Sequence, residues 1–242
     1  MKKLTLIFLV FIFISKSNAA IITSNASEYF LDLADQIDPT QSITNEWQIG
    51  SYNGDVFELF DYSTTTALGS SSIVGWVNAG FHAAFLNISD EDEIFPGNIF
   101  EAGTLTLHPG QAGADIVLRY LVQQTSIYDI WSDFFALDTI ESVSRNSDGV
   151  SVSVRINGSQ LGSSRNLLGF GANNMHQVIA RDIMLGQGDF IDFVVMPRAN
   201  FFDDATVITA SVSREVVSEV NEPTTLAMIL FSLGFLLARR KV

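Results

Sequence analysis

The feature that most constrains the fold is a strict alternation of apolar and polar residues in the second half of the chain. From residue 150 to residue 156, valine or isoleucine alternates with serine or arginine, which is the period of a β-strand with one buried face. Asn157-Gly158 follows directly, and this pair favours the two positive φ angles of a type I′ turn. The pattern therefore predicts a strand over 150–156 that turns and returns antiparallel over 159–161.

Short extended segments of the same kind recur along the body of the chain and are separated by turns rich in Gly, Pro, Asn and Asp. They are predicted at residues 56–62, 75–77, 83–88, 103–107, 115–122, 127–137, 177–185, 190–195 and 206–212. Their number and spacing favour an all-β fold, an antiparallel β-sandwich or jelly roll, over parallel βαβ units. One helix is predicted over 28–37, with Ser27 as its cap.

The chain contains no cysteine, so disulfides cannot hold this body together. Of its 242 residues, 47% are hydrophobic and 19 are phenylalanine. A chain of about 200 residues buries roughly 70% of its unfolded surface. We therefore expect one β-domain that is stabilised by apolar packing alone.

The first nineteen residues have the layout of a secretory signal peptide. Two lysines precede an apolar run over 4–14, and Ser17 and Ala19 occupy the small-residue positions that signal peptidase requires. The run is too short to span a bilayer core of about 30 Å. We predict cleavage after Ala19 or Ala20; the alternative is an uncleaved N-terminal anchor.

The end of the chain combines an apolar stretch with a basic cluster. Residues 224–238 are predicted to form a short transmembrane helix, and Arg239 and Arg240 follow it. Basic residues stay on the cytoplasmic side of a membrane, so this helix would run from outside to inside, in agreement with an exported N-terminus. The helix is short for a span, which suits temporary retention.

Glu222 and Pro223 directly precede this helix. Together with the Leu- and Gly-containing helix and the arginines at the extreme C-terminus, they resemble the PEP-CTERM sorting tail, although Asn221 stands where the usual triplet has proline. The resemblance implies recognition by an exosortase, a membrane-embedded protease or transpeptidase, and cleavage near Pro223. The alternative is a permanent C-terminal anchor.

These signals divide the chain into four segments. Residues 1–19 are the predicted signal peptide, 20–45 a lead-in with the short helix, 46–215 the β-sandwich and 216–242 the sorting tail. We expect a protein that is exported through the cytoplasmic membrane, anchored there transiently, and then placed at the cell surface or outside the cell.

The charge of the body restricts its partners. Six of the thirteen Lys and Arg lie in the signal peptide or beyond Pro223, whereas all 27 Asp and Glu lie between these two parts, so the processed body carries a formal charge of −20 (7 − 27). This charge repels phosphate backbones. Nucleic acid is therefore excluded as a partner, and signal peptidase, an exosortase-type protease and extracellular polysaccharide are expected.

A second resemblance covers residues 46–213 and rests on the order of turns and strands. The residues that carry it are Trp47 with Gly50, Leu107-His108-Pro109-Gly110, Arg119-Tyr120, Ile127-Tyr128, Asp148-Gly149-Val150, Asn157-Gly158, Gly188-Asp189-Phe190-Ile191-Asp192-Phe193, and Asp204 before Thr206. In this order they resemble the lectin-like jelly-roll modules of secreted bacterial proteins. The resemblance implies a binding or matrix role and transfers no ligand site.

Residues for catalysis are scarce. The chain has neither a thiol nucleophile nor a G-x-S-x-G motif. Its three histidines, His82, His108 and His176, are far apart and lack metal-site spacing. The sequence therefore predicts that the protein is not an enzyme and needs no cofactor.

Two acidic segments are candidates for a structural calcium ion. Asp90 and Asp92 belong to a run of four acidic residues, which lacks the alternating ligand loop of calcium sites. The alternative for this run is a solvated acidic loop. Asp203 and Asp204 are the second candidates, by analogy with jelly rolls that hold a cation near a chain end.

Sugar binding needs a flat aromatic ring beside polar side chains, because the C–H face of a sugar stacks on the ring while its hydroxyls form hydrogen bonds. Trp47, Trp76 and Trp131 are the candidates, and the alternative for each is packing in the core. We expect a non-catalytic structural or adhesive protein of the cell surface or extracellular matrix that associates with exopolysaccharide. The alternatives are a carbohydrate-binding lectin and a polysaccharide hydrolase.

Overall fold

In the computed structural model, residues 19–36, 38–63, 70–79, 82–95, 98–137, 148–168 and 174–217 are described. The chain divides into two compact units, residues 22–214, and residues 1–21 together with 215–242. The first unit holds the fold described below. Of the second, only residues 19–21, which begin the first strand, and 215–217, which end the last strand, are described.

Most of the predicted processing signals lie outside the described residues. This holds for the signal peptide up to residue 18 and for the tail beyond residue 217, which contains Glu222, Pro223, the helix 224–238, Arg239 and Arg240. Ala19 is the first residue of a strand. In the described part, no helix is long and apolar enough to cross a membrane.

The elements of the first half of the chain follow one another with short connections. They are β1 (Ala19–Asn25), α1 (Ala26–Ala34), β2 (Trp47–Asn53), β3 (Val56–Leu59), β4 (Asp61–Ser63), β5 (Ile73–Ala79), β6 (His82–Asn87), β7 (Glu93–Phe95), β8 (Asn98–Phe100) and β9 (Leu105–His108).

The second half contributes the longer strands. Its elements are a short 3₁₀ helix (Gln111–Gly113), β10 (Ile116–Leu121), β11 (Ser126–Ala136), β12 (Val150–Ile156), β13 (Ser159–Leu167), β14 (Met175–Leu185), β15 (Phe190–Pro197) and β16 (Thr206–Val217).

Two sheets contain nearly all of these strands. The larger sheet has the order β14-β11-β16-β9-β6-β5-β4, with β1 also paired to β16, and the smaller has the order β13-β12-β15-β10-β2-β3. Every pair whose register is described runs antiparallel. Strands β9 to β16 divide into β9-β16-β11-β14 and β10-β15-β12-β13, the strand order of an eight-stranded jelly roll. The predicted antiparallel β-sandwich is confirmed.

The core lies between the two sheets. One continuous cluster of buried side chains includes Leu107 and Phe134 of the larger sheet and Leu118 and Phe193 of the smaller one. Full burial of such a side chain contributes about 1.5–3 kcal/mol. Apolar packing on this scale explains how a domain without disulfides is stable.

The helix forms close to its predicted position, but its cap differs. α1 begins after Asn25, whose Oδ1 accepts a hydrogen bond of 3.3 Å from the backbone N–H of Glu28. Asn caps a helix as well as Ser does, so the cap is Asn25 and Ser27 lies in the first turn. Phe30 on the buried side packs edge-on against Trp76, with ring centroids 4.7 Å apart, and this joins α1 to the core.

The hairpin predicted at Asn157-Gly158 is present between β12 and β13. Asn157 has φ 50° and Gly158 has φ 77°, as a type I′ turn requires. β13 extends to Leu167, well beyond the predicted return over 159–161. Its mostly exposed residues carry little alternation, which explains why the sequence pattern underestimated its length.

Strand β2 was not predicted from the sequence. Trp47 and Ile49 lie in the core with Gln48 between them, but Ser51 stands where the alternation would place the next apolar residue. An alternation this short is below the length of about four to eight residues by which a strand is recognised, although residues 47–51 are all buried.

The β7–β8 hairpin was also not predicted, and it covers part of the outer face of the larger sheet. Phe95 and Phe100 of the hairpin pack against Ile73, Ala83 and Phe85, which point away from the main core. This second small cluster lies over β5 and β6. Among the residues that the structure describes, none of β11 or β14 belongs to this cluster.

Burial raises the pKa of every tyrosine in the chain above the ordinary value of 10.0, because desolvation disfavours the phenolate. The five tyrosines of the sequence are Tyr29, Tyr52, Tyr62, Tyr120 and Tyr128. Tyr120 also donates a hydrogen bond of 2.9 Å to Oε1 of Glu46, whose negative charge raises the pKa of Tyr120 further.

We expect the free energy of unfolding to fall as the pH rises above about 10. In that range the tyrosines of the unfolded chain lose protons while those of the folded chain keep them, so the unfolded state binds fewer protons and stability decreases with pH. A spectrophotometric titration should show tyrosinate absorbance at higher pH in the native protein than in urea, and urea midpoints should fall over the same range. Coincident native and denatured titration curves would contradict this expectation.

Candidate functional site

Strand β11 has one face in the core and one face directed outward. The inward side chains, which are buried, are Tyr128, Ile130, Ser132 and Phe134. The outward side chains, which are partly or fully exposed, are Ile127, Asp129, Trp131, Asp133 and Phe135. The outward set alternates apolar residues with aspartates along the strand.

Antiparallel pairing extends this surface across the neighbouring strands β14 and β16. Trp131 lies between Ile179 of β14 and Ser211 of β16. The other rows are Asp133 between Gln177 and Thr209, Phe135 between Met175 and Val207, and Ile127 beside Met184. Residues directly opposite in such a pair have Cβ atoms about 4.5–5.5 Å apart. We call the outward residues of β14, β11 and β16 the Trp131 face.

The Trp131 face leaves large apolar side chains in contact with solvent. The exposed fractions are 43% for Ile127 and Phe135, 49% for Met175, 52% for Ile179 and 66% for Met184. They lie together on two adjacent strands, unlike the scattered exposed residues that any protein has. Contiguous apolar patches of this kind mark interaction sites.

Both aspartates of β11 are held by hydrogen bonds from β14. Gln177 donates from Nε2 to Oδ1 of Asp133 over 2.9 Å. The backbone N–H of Asp182 donates to Oδ1 of Asp129 over 2.9 Å, at a β-bulge where Asp182 has φ 58°. These bonds fix the two carboxylates on either side of Trp131.

The structure separates the three tryptophans that were candidates for glycan contact. Trp47 and Trp76 are fully buried; Trp47 donates from Nε1 to Oγ of Ser24 over 2.8 Å, and Trp76 donates to the carbonyl oxygen of Pro39 over 3.4 Å. Both pack in the core, so a sugar cannot stack on them and the expectation is corrected for these two. Trp131 is partly exposed on the outward face of a sheet.

The four aspartates that were candidates for calcium lie in two places. Asp90 and Asp92 are exposed, and Oδ1 of Asp92 accepts a hydrogen bond of 3.0 Å from Ala102 N. Asp203, with φ 57°, and the buried Asp204 form the turn before β16. Among the described residues, no group of three or more His, Cys, Asp or Glu side chains is placed to hold a metal ion. Calcium binding at either place stays a prediction.

A second polar cluster, which the sequence analysis missed, lies on the outer face of the smaller sheet. Nε of Arg119 on β10 is 2.7 Å from Oδ1 of Asp192 on β15, and Nη2 is 3.0 Å from Oδ2. The guanidinium lies 3.8 Å from the ring centroid of Phe57 and 4.0 Å from that of Phe190. The sequence does contain a signal for this pair. β10 is apolar except for one positive charge, and β15 is apolar except for one negative charge, and charged residues in such strands are rarely buried unless they are paired.

Tyr52 completes this cluster. Its hydroxyl donates to Oδ2 of Asp192 over 2.6 Å and accepts from Arg119. Burial, with the hydrogen bond to Asp192, raises the pKa of Tyr52 to about 12. A Cβ at Gly50 would clash with the backbone carbonyl oxygen of Glu58 and would lie 2.8 Å from the Phe57 ring, so glycine is required where β2 pairs with β3 beside the ring that stacks on Arg119. The charges of the cluster are buried and paired with each other, so the loss of one partner would leave the other buried without compensation.

Comparisons with known proteins give no family for this chain. No protein-family model and no curated protein matches it. Similar solved structures include a family 35 carbohydrate binding module from Clostridium thermocellum, at 15% identity and a TM-score of 0.27 over 58% of this chain and 87% of that chain. TmCBM61 in complex with beta-1,4-galactotriose is 11% identical, with a TM-score of 0.30 over 71% of this chain and 88% of that chain.

A third similar structure contains CBM51-2, in complex with GlcNAc, and INT domains from Clostridium perfringens ZmpB. It is 15% identical, with a TM-score of 0.32 over 48% of this chain, and the match spans only 23% of that chain. All three TM-scores are low, so the fold assignment rests on the strand order of this chain itself.

Replacing Asp192 by alanine should strongly destabilise the protein, because it leaves the buried guanidinium of Arg119 without its partner. Breaking one side of such a pair costs about 3–5 kcal/mol. The double variant Arg119→Met/Asp192→Leu removes both charges, and we expect it to be more stable than the single variant. Urea unfolding measures all three proteins; a single variant within about 0.5 kcal/mol of the parent would show that Arg119 does not depend on Asp192 for compensation of its charge.

Proposed function

We propose that this chain is an exported, non-catalytic adhesive protein that binds polysaccharide through the Trp131 face. The observation that supports it is a partly exposed tryptophan between two carboxylates on the outward face of a sheet. Hydroxyl groups of β16 lie on one side of the ring and an amide of β14 lies nearby. This is the combination that a sugar requires.

The chemistry of the face matches the two sides of a pyranose ring. The C–H surface of a sugar can stack on the indole of Trp131. Its hydroxyls can then reach Asp133, Gln177 and Ser211, which are register neighbours of the ring or one row away. Carboxylates accept hydrogen bonds, and amides both donate and accept them. A sugar hydroxyl, which can donate and accept, therefore finds partners for both on this face.

The shape of the face favours a chain over a single sugar. The outward positions Ile127 and Phe135 are eight residues apart on β11, which is roughly 27 Å at about 3.4 Å per residue. Ile127, Trp131 and Phe135 recur every fourth residue along this length. An extended polysaccharide lying along β11 would contact several of these positions at once, and such repeated contacts raise its apparent affinity.

The proposal that the protein is non-catalytic has support from the spacing of its aspartates. Asp129 and Asp133 are four residues apart on one strand, which separates them by about 13 Å. The paired carboxylates of glycosidases are about 5–5.5 Å or about 6.5–9.5 Å apart. The two aspartates of the Trp131 face therefore suit binding, and a hydrolase would need a different carboxylate pair.

Export and sorting form the second part of the proposal. The basic and apolar leader before Ala19 directs secretion, and the tail with Glu222 and Pro223 directs processing by an exosortase-type protease. Release from the membrane would place the Trp131 face beside the extracellular polysaccharide that it binds. An exported protein with this face would link the cell surface to its matrix.

Replacing Trp131 by alanine should weaken binding to polysaccharide about thirty-fold, which corresponds to about 2 kcal/mol for the loss of a central aromatic contact. Titration calorimetry with β-1,4-linked glucose and N-acetylglucosamine oligosaccharides, and with exopolysaccharide from the producing cells, measures the effect. In the parent protein, tryptophan fluorescence should shift on binding, because Trp47 and Trp76 are fully buried and Trp131 is the one that a ligand can reach.

The matched control is Ile94→Ala. Ile94 is 77% exposed but belongs to the β7–β8 hairpin, away from the Trp131 face. This variant should bind like the parent, and both variants should keep their melting temperatures within a few degrees, about the shift that 1 kcal/mol causes. Parental affinity in Trp131→Ala, or no binding of any of these glycans by the parent, would contradict the proposal.

The intact mass of the mature protein should report both processing steps. In cells with the exosortase, we expect the loss of residues 1–19 and of everything beyond Glu222-Pro223, because both segments have the layout of removable signals. In cells without the enzyme, the C-terminal segment should remain. A tail retained in both strains would make this a membrane-anchored surface protein and would refute sorting, whatever the protein binds.

A further inference from the structure

The charges of the Trp131 face are predominantly negative. Asp129 and Asp133 lie on β11, and Asp182 lies at the β14 bulge that bonds to Asp129. Among the described residues of this face the only basic one is Arg181, beside the bulge. A cationic ligand is therefore attracted to the face, and an anionic one is repelled both by it and by the net charge of the body.

Both carboxylates of β11 keep hydrogen-bonding capacity for a ligand. Each uses Oδ1 for its bond to β14. Within the described part of the chain, neither Oδ2 has a hydrogen-bond donor, and neither carboxylate forms an ion pair, whereas Asp192 is paired with Arg119. An ionised carboxylate accepts about four hydrogen bonds. The strongest acceptors of the face thus keep capacity for a ligand beside Trp131.

A single metal ion does not explain this arrangement. Calcium ligands lie about 2.3–2.6 Å from the ion, whereas the spacing of Asp129 and Asp133 on one strand is about 13 Å. The two carboxylates cannot share one cation. They can, however, contact two cationic groups that are spaced along one extended ligand.

We propose that the Trp131 face recognises an amino-glycan, a polysaccharide that carries unacetylated, protonated amino groups, and that Asp129 and Asp133 bind these ammonium groups on either side of the Trp131 ring. The inference rests on the proposed function and adds the chemical class of the glycan.

The ammonium group fits this face better than a hydroxyl does. It has three N–H donors and a full charge, so its hydrogen bonds to a carboxylate are about twice as strong as those between neutral groups. An aromatic ring near the cation adds a cation–π attraction. Ser211 and Thr209 of β16 remain for the hydroxyls of the sugar, and these hydroxyl contacts favour an amino-glycan over a lysine-rich peptide.

The test compares chains that differ only in their amino groups. The full chain is titrated with fully N-acetylated β-1,4-linked N-acetylglucosamine oligomers, with partially N-deacetylated oligomers of the same length, and with polygalacturonate as an anionic chain. At low salt we expect the deacetylated oligomers to bind about ten-fold more tightly than the acetylated ones, as one additional charge-assisted contact predicts. The preference should shrink as salt rises, and polygalacturonate should not bind.

Variants test separately how the aspartate charges and the Trp131 ring contribute to binding. Asp129→Asn/Asp133→Asn keeps Oδ1 as the acceptor for β14 and removes the charges, so the affinity ratio should fall to about one while the acetylated oligomer still binds. Asp61→Asn, at an exposed position of β4 on the other edge of the sheet, is the matched control and should keep the ratio. Trp131→Ala should weaken binding of both oligomers.

The outcomes distinguish the two proposals. Equal affinity of the parent for both oligomers, with loss of binding in Trp131→Ala, would overturn the amino-glycan inference and leave polysaccharide binding intact. Failure of every glycan to bind would overturn both. An oligolysine that competes as well as the deacetylated oligomer at equal charge would show a general site for cationic chains, and this too would overturn the inference.

Discussion

The fold depends on one hydrophobic core, in which each central strand buries one of its two faces. No disulfide bond stabilises this core. Side chains of both sheets and of α1 meet in that core, and the chain has no cysteine. The alternation of the strands fixes which residues go inward. The alternation does not determine whether the outward residues of the same strands are exposed. Their exposure depends on which other elements cover the outer face of each sheet, and the two outer faces differ in how far they are covered.

Carboxylates on these outer faces have different roles because their surroundings differ. Asp192 is fully buried, paired with Arg119 and hydrogen-bonded to Tyr52, so its charge is satisfied within the sheet. Asp129 is exposed, and Asp133 is only partly buried and lies beside a partly exposed ring. A buried charge depends on its partner within the sheet, because the loss of that partner leaves it uncompensated, whereas unpaired charges at the surface attract ligands and affect how partners are selected. Residue type alone does not distinguish these roles; burial does.

The sequence was sufficient for the fold class and for the elements with a clear pattern, such as β12 with its type I′ turn and β11 with its alternating faces. It was insufficient for β2, whose apolar alternation is too short, and for the cap of α1. The sequence also could not show which of the three tryptophans is exposed to a ligand, because the alternation of a strand does not indicate whether another element covers a given side chain. The exposure of Trp131 follows from the placement of the β7–β8 hairpin over the other end of the sheet, a long-range arrangement that no local pattern encodes.

The same bulge that helps to form the candidate site also restricts what can occupy it. β14 is the edge strand of the larger sheet, and it is eleven residues long with exposed apolar side chains. A regular edge of this length would accept another β-strand. At Asp182 the strand bulges and its φ is 58°, which interrupts the regular spacing of the edge groups that strand addition requires. A ligand that lies across the outer face of the sheet avoids this interruption, and this favours a polysaccharide along β11 over a strand added at the edge.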